Sequence, residues 1–438
     1  MPQAIQFFRS VPRWLFVRAL SSRWSGAASG ALSCIELADL PPPPLPALDW
    51  VRIQTRLSGI CGSDLSAIGC KGSPYFSPFV STPFVLGHEV VGNIVETGSA
   101  VPAQWKTGTR VVIEPALCCV VRGISPPCRP CAAGHFAHCE NILRGTIKGG
   151  IQTGYCSSTG GGWSAATVVA HHSQLHAVPD GLSDEEAVLA EPFACAIHAA
   201  LKAPMDAGSK VLVLGCGSIG LLTIFAYRAA GGKGTVLASA RYAHQADMAK
   251  TLGADDIFRG RGDDAFYRWV LERCQPDVSP PAIYQPELGK PVALGGADAV
   301  LDCVGSSASI DDAMRLTRPR GTLILAGMPG IPKGIDWTSV WYKELSVQGA
   351  YAYGYELQPA DGGAGLSARN DARTGTEART TNTRVRTMAL ALKFLLESNG
   401  KLKALVNRRF PLQAYRSALE SAFHAGTSGA FKTVFEVS

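Results

Sequence analysis

No uninterrupted apolar run in this 438-residue chain approaches the roughly 20 residues that span a bilayer. The best candidates are short segments such as Val211–Leu214 and Thr322–Ala326, so no membrane partner is expected. Charge is sparse as well, with 17% charged residues and a formal net charge of +6. The basic residues are scattered instead of gathered into a stripe, which argues against nucleic acid as a partner. No sequence period marks a repeat protein. Acidic residues are missing before Glu36, whereas Arg9, Arg13, Arg18 and Arg23 fall in that stretch. Such a composition suits a mitochondrial transit segment. The favoured alternative is that Ala4–Phe8 is the opening strand of a domain, with the arginines on its exposed edge and a cytoplasmic location.

What is present points to an enzyme. A hydrophobic content of 46% and 47 glycines fit a soluble α/β protein, and the length allows two domains with proper cores. Of thirteen cysteines, five crowd unevenly between Cys118 and Cys139. A metal site in a reducing compartment explains that crowding better than a secreted disulfide framework does.

Three textures follow one another. Short β-rich runs broken by Gly, Pro and Ser (Val51–Leu57, Val90–Glu96, Arg110–Ile113, Thr167–Ala170) predict an irregular antiparallel domain over 1–201. From 202 to 349 apolar strands alternate with helical patterns: Lys210–Leu214, Gly234–Ala238, Asp298–Asp302 and Thr322–Ala326 are separated by helices such as Ala243–Leu252 and Ile310–Leu316. That alternation predicts a doubly wound parallel sheet. Phe258–Leu294 reads as a surface insertion. Residues 350–438 are expected to return to the first domain, through a flexible loop over 359–382, a helix over Val385–Leu396, a helix over Ala414–Phe423 and a strand over Phe431–Val437.

Gly215-Cys-Gly217-Ser218-Ile219-Gly220 follows a predicted strand and opens a predicted helix. In that context Gly215 makes the tight turn, Gly217 lets a pyrophosphate approach the backbone, and Gly220 lets helix meet strand. At the end of the next strand, where a carboxylate would bind the adenosine ribose, stands Ser239, with Arg241 close behind. The missing carboxylate and the nearby guanidinium predict NADP over NAD.

Cys61 in Gly59-Ile-Cys61-Gly-Ser63-Asp64, His88 in Gly87-His88-Glu89-Val-Val-Gly92, and Glu191 before Pro192 offer a thiolate, an imidazole and a carboxylate, the ligand set of a catalytic zinc with one position open. Cys128-x2-Cys131-x7-Cys139 is a structural-zinc pattern. With these motifs in order, the chain resembles the medium-chain zinc alcohol dehydrogenase superfamily, especially its sorbitol, threonine and glucose dehydrogenase branch, from about Val51 onward.

The resemblance implies a Rossmann domain inserted in a GroES-like catalytic domain, and a hydride transfer between a small alcohol and NAD(P). It implies that Cys61 and His88 bind the catalytic zinc, that Glu89 is a direct ligand, and that Glu191 completes the shell directly or through water. Ser63 would pass the substrate proton onward, and Asp64 would support the ligands from behind. The family's relay group after Ser63 is absent, since Ser66 and Ala67 stand there. The family's first structural cysteine would fall at 125, which is Ser125; Cys119 is expected to replace it, with Cys118 the less favoured donor and a metal-free cluster the competing reading. A homodimer or homotetramer through the edge strand near Leu323–Met328 is expected. A zinc-free quinone or enoyl reductase and a non-catalytic zinc-stabilised protein are the rival readings.

Overall fold

The computed structural model describes residues 1–260, 262, 264–359 and 382–437. The loop expected over 359–382 therefore lies, from 360 to 381, outside the described residues. The chain forms two compact units, Met1–Glu191 with Met388–Ser438, and Pro192–Thr387. The boundaries read from sequence stood at 201/202 and 349/350. No helix among the described residues is long and apolar enough to cross a membrane.

The first unit is built on strand Trp50–Gly59. Its Val51, Ile53, Thr55 and Leu57 are buried while Arg52, Gln54 and Arg56 are at least partly exposed, the period of two that a strand requires. It pairs antiparallel with Val90–Thr97, Val168–His171 and Lys432–Glu436. Arg110–Ile113 and Leu175–Ala177 extend the sheet on one side, and Val406–Pro411 extends it beside Lys432–Glu436. Val51, Ile53, Val90, Ile94, Val111 and Val168 pack into one core. A second core gathers Ile60, Ile68, Leu86, Trp163 and Phe435. The Trp163 and Phe435 rings lie 5.0 Å apart there, and the indole Nε1 donates to the Gly59 carbonyl at 3.0 Å. This second core fixes the chain where it leaves the long strand and reaches Cys61.

The opening strand runs Gln3–Phe7, between Ile35–Asp39 and Phe84–Val85. The arginines are not on its edge as expected. Arg13 and Arg18 belong to helix Val11–Leu20 and reach the carbonyls of Ser33 and Cys70 at 3.2 and 3.0 Å. Ser21 holds the Gly69 carbonyl at 2.9 Å.

The second unit carries a parallel sheet of six strands among the described residues. In spatial order they are Asp256–Arg259, Thr235–Ala240, Lys210–Leu214, Ala297–Asp302, Thr317–Leu325 and Ser346–Gly349. By chain order this is 3-2-1-4-5-6, with the reversal beside Lys210–Leu214 where doubly wound sheets bind dinucleotides. Three expectations need correction. The strand containing Leu323 is paired on both sides, so among the described residues the sheet's edge on that side is Ser346–Gly349. Within Phe258–Leu294, helix Asp264–Cys274 sends Phe266, Tyr267, Val270 and Leu271 into the sheet's own core, so it is more than a surface insertion. Val385 belongs to strand Asn382–Arg386, and the helix starts at Thr387, whose buried hydroxyl donates to the Gly354 carbonyl and to Glu356, each at 3.0 Å.

Candidate functional site

Cys61 is the N-cap of the short helix Gly62–Ile68. Its amide donates to Asp64 Oδ2 at 2.9 Å, which fixes the turn that presents the thiol. The other carboxylate oxygen, Asp64 Oδ1, lies 3.3 Å from Nδ1 of the buried His88 and accepts from the Tyr155 hydroxyl at 3.4 Å. Nδ1 makes no hydrogen bond there, so Asp64 acts on the ring by charge. Ser63 Oγ stands 3.5 Å from His88 Nε2. Burial opposes a charged imidazole, but Asp64 and Cys61 outweigh it, and the His88 pKa stands well above its usual value. The same negative field would favour a divalent cation.

Glu89 is fully buried. Its Oε1 accepts from Lys432 Nζ at 2.5 Å, and Lys432 also donates to the Ile60 carbonyl at 3.1 Å. Oε2 is buried with no hydrogen-bond partner. A Cβ at Gly59 would sit 1.7 Å from that oxygen, so the glycine leaves room for the carboxylate. Ligand atoms of Cys61, His88 and Glu89 all lie within 4.8 Å of one another. A thiol, an imidazole nitrogen and an orphaned carboxylate oxygen facing one point are a fitting donor set for zinc. Glu191, 7% exposed on helix Ala190–Ala200, is outside that trio, yet its charge acts on Lys432. For Lys432 burial works against the charge, and Glu89, Cys61 and Glu191 together raise its pKa. Neither Lys432 nor Tyr155 was singled out from the sequence. The signal in Tyr155 is a lone aromatic, and Lys432 lies 343 residues from the glutamate it neutralises.

The second cluster brings Cys119, Cys128, Cys131 and Cys139 together, again with all ligand atoms within 4.8 Å. Cys119 and Cys139 sulfurs are 3.6 Å apart, and Cys128 and Cys139 sulfurs 4.0 Å. Main-chain amides converge on them: Cys128 N on Cys119 Sγ, Glu140 N on Cys128 Sγ, and Asn141 N on Cys139 Sγ, at 3.3–3.4 Å. Burial opposes ionisation of Cys128, but the Glu140 and Cys131 amides bring its thiol down to about 7. Ser125 is exposed, and Cys118, though buried, is not in the group of four. Cys119→Ser is expected to lose one of two zincs per chain by metal analysis, while Ser125→Ala keeps both. Two zincs in Cys119→Ser would count against Cys119 as the fourth ligand.

In the second unit Gly215 has φ +88°, a conformation costly for any side chain. A Cβ at Gly220 would lie 1.9 Å from the Gly215 carbonyl oxygen, whereas one at Gly217 would meet nothing within 4 Å. Gly215 and Gly220 are thus dictated by the turn, and Gly217 leaves open backbone at the start of helix Ser218–Ala229, which begins with Ser218 and Ile219. Gly215 N lies 3.2 Å from the Ser239 carbonyl, tying the turn to the end of the neighbouring strand. Arg241 is exposed, its guanidinium 5.6 Å from the Tyr242 ring.

Residues 47–180 match the model of the alcohol dehydrogenase GroES-like domain, and residues 218–361 that of the zinc-binding dehydrogenase. L-idonate 5-dehydrogenase of Vitis vinifera is 28% identical over 390 residues, 88% of each chain. Sorbitol dehydrogenase of Bacillus subtilis strain 168 is 28% identical over 324 residues, 73% of this chain and 79% of that one. Among solved structures, 2R,3R-butanediol dehydrogenase from Bacillus subtilis superposes with a TM-score of 0.68 at 21% identity, covering 100% of both chains.

Proposed function

We infer the reaction from the family: this chain belongs to the zinc-type medium-chain alcohol dehydrogenase superfamily, and it is an oxidoreductase that moves a hydride between a small alcohol and NAD(P). The observation that carries this reading is the buried Glu89 oxygen left without a partner beside the Cys61 sulfur and His88. Zinc supplies Lewis acidity toward an alcohol or carbonyl oxygen, and the nicotinamide takes or gives the hydride.

The chain's own residues then have distinct tasks. Cys61, His88 and Glu89 would hold the zinc, with Glu191 completing the shell. Asp64 acts on His88 by charge, its carboxylate beside Nδ1. Lys432 offsets the charge of Glu89 while leaving Oε2 available. Ser63 Oγ is the hydroxyl placed to take the substrate proton. The zinc-free rival is disfavoured, because a reductase without metal has no use for a buried, unpaired carboxylate beside a thiol. Polyols and sugar acids are the substrate class this reading favours, by likeness to the idonate and sorbitol enzymes. The test is a screen of secondary alcohols, polyols and sugar acids with both nucleotides, before and after chelation. Activity that survives complete zinc removal would sink the reading.

NADP is the favoured nucleotide, on the strength of Ser239 and exposed Arg241 where an NAD site would carry an acid. Ser239→Asp combined with Arg241→Ala is expected to move the NADP/NAD ratio of kcat/KM toward NAD on the order of 10- to 100-fold. A native preference for NAD would refute the assignment. A homodimer through the edge strand Ser346–Gly349 is the favoured assembly, since exposed Trp337, Trp341 and Tyr342 immediately precede that strand. None of the thirteen cysteines is paired in a disulfide, which fits a reducing compartment such as the cytoplasm.

A further inference from the structure

Strands Gln3–Phe7 and Ile35–Asp39 pair antiparallel with Phe7 opposite Ile35, yet the whole of residues 8–34 lies between them. A hairpin turn needs about two to five residues, so most of this segment is surplus to the pairing. It contains helix Val11–Leu20, whose Val17 is buried in the core that also takes Cys34, Ile60, Ile68 and Cys70. What the segment reaches is the C-terminal end of helix Gly62–Ile68, which starts after Cys61 and bears Ser63 and Asp64. There the amides of Gly69, Cys70 and Lys71 turn back onto the carbonyls of Leu65, Ala67 and Ser66 at 2.8–3.0 Å. Cys70 has φ +53°, a left-handed conformation uncommon for a residue with a side chain. The carbonyls of this turn are taken by side chains of the surplus segment. The buried Ser21 Oγ donates to Gly69 at 2.9 Å, and Arg18 Nη1 donates to Cys70 at 3.0 Å.

We propose that residues 8–34 clamp the rear of the helix that bears Ser63 and Asp64, with Ser21 and Arg18 as positioning residues for it. A helix of 7 residues is too short to hold its own shape, so its two ends must be fixed from outside. The front is fixed by Asp64 Oδ2, which accepts from the Cys61 amide at 2.9 Å. At the rear, Ser21 supplies a buried donor, and Arg18 brings a cation to the end of the helix where the dipole favours one. Arg18 is itself steadied by the Trp14 ring, 4.9 Å from its guanidinium carbon. A second arginine of the same helix, Arg13, donates instead to the Ser33 carbonyl at 3.2 Å, an anchor within the segment itself. Releasing the rear would let Ser63 Oγ drift from its place 3.5 Å from His88 Nε2, slowing the proton step without weakening the nucleotide. The proposal rests on the reading of Ser63 as the hydroxyl that takes the substrate proton.

The test compares the native holoenzyme with the double variant Arg18→Met, Ser21→Ala, and with Arg13→Met, which removes an anchor elsewhere on the same helix. Kinetics use the alcohol turned over fastest in the screen above. The double variant is expected to lose kcat about 10- to 100-fold, since a misplacement of about 1 Å can cost 10²-fold, while the KM of the nucleotide stays native. Its solvent isotope effect on kcat, measured in H2O and D2O, is expected to rise as the proton step becomes limiting. A preparation that is merely part-unfolded lowers kcat and keeps the native isotope effect. Arg18→Lys with Ser21→Thr retains both donors and is expected to restore most of the rate. Equal kinetics in the double variant and Arg13→Met, or a lowered kcat with the native isotope effect, would overturn the proposal. Amide hydrogen exchange over residues 61–71 is read in the same proteins without substrate. Faster exchange there in the double variant than in Arg13→Met supports the clamp, and native exchange overturns it. A native enzyme that turns over no alcohol would refute the dehydrogenase reading instead, and the exchange data would still decide whether the clamp exists.

Discussion

Cys61→Ala and His88→Ala are each expected to cut kcat/KM by at least about 10³-fold, the scale on which loss of a preorganised electrostatic stabiliser is felt. The expectation follows from the trio's economy. Three donors lie within 4.8 Å of one another, and one of them, Glu89, already spends an oxygen on Lys432. Removing a second donor leaves too little to hold a divalent ion at an open site. Nucleotide binding should survive, since Gly215, Gly217 and Gly220 belong to the other compact unit and owe their conformation to local contacts. Steady-state kinetics, a count of zincs per chain and fluorescence titration with the nucleotide check the three parts separately. Retained turnover with one zinc missing would show that the ion in this trio is not the one that matters.

Lys432→Met is expected to have the largest effect on stability. Lys432 and Glu89 are 3% and 0% exposed, so the substitution strands a carboxylate in the interior. Breaking a buried pair from one side costs about 3–5 kcal/mol. That loss should appear in full in urea unfolding of the chelated protein. In the zinc-loaded protein it should be smaller, because a metal ion would give Glu89 another cation to face. A second arm, Lys432→Met with Glu89→Gln, removes both charges and should recover much of the lost stability. Equal losses with and without zinc would mean that Glu89 does not face the metal.

The parts of the site legible in the sequence were those whose chemistry is carried by neighbours in the chain. Gly59-Ile-Cys61-Gly-Ser63-Asp64 and Gly87-His88-Glu89 announce a ligand set because the turns and the donors are written side by side. Likewise the glycine fingerprint was legible because a strand, a tight turn and a helix start occur within ten residues of one another. The doubly wound sheet followed from alternating strand and helix patterns, and the six parallel strands match that reading. Lys432 was illegible for the opposite reason: a lysine in a terminal strand has no local mark of burial, and only pairing of Val434 with Gly59 brings it beside Glu89. Phe266, Tyr267, Val270 and Leu271 do show helical spacing, but the polar stretches around them disguised a core helix as a surface insertion. The true sheet edge was missed because Ser346–Gly349 has only one strongly apolar residue, Val347, and strand propensity depends on packing more than on composition.

The order in which the first unit's pieces leave the ribosome follows from the same strand pairing. A growing chain that already contains Cys61, His88 and Glu89 must still make all of Pro192–Thr387 before Lys432 exists. Until then the glutamate has no built-in cation, and an early-captured metal ion would be its only neutralising neighbour. Premature termination anywhere in that interval would therefore release a fragment with a charged, unmatched interior, a ready client for chaperones and proteases.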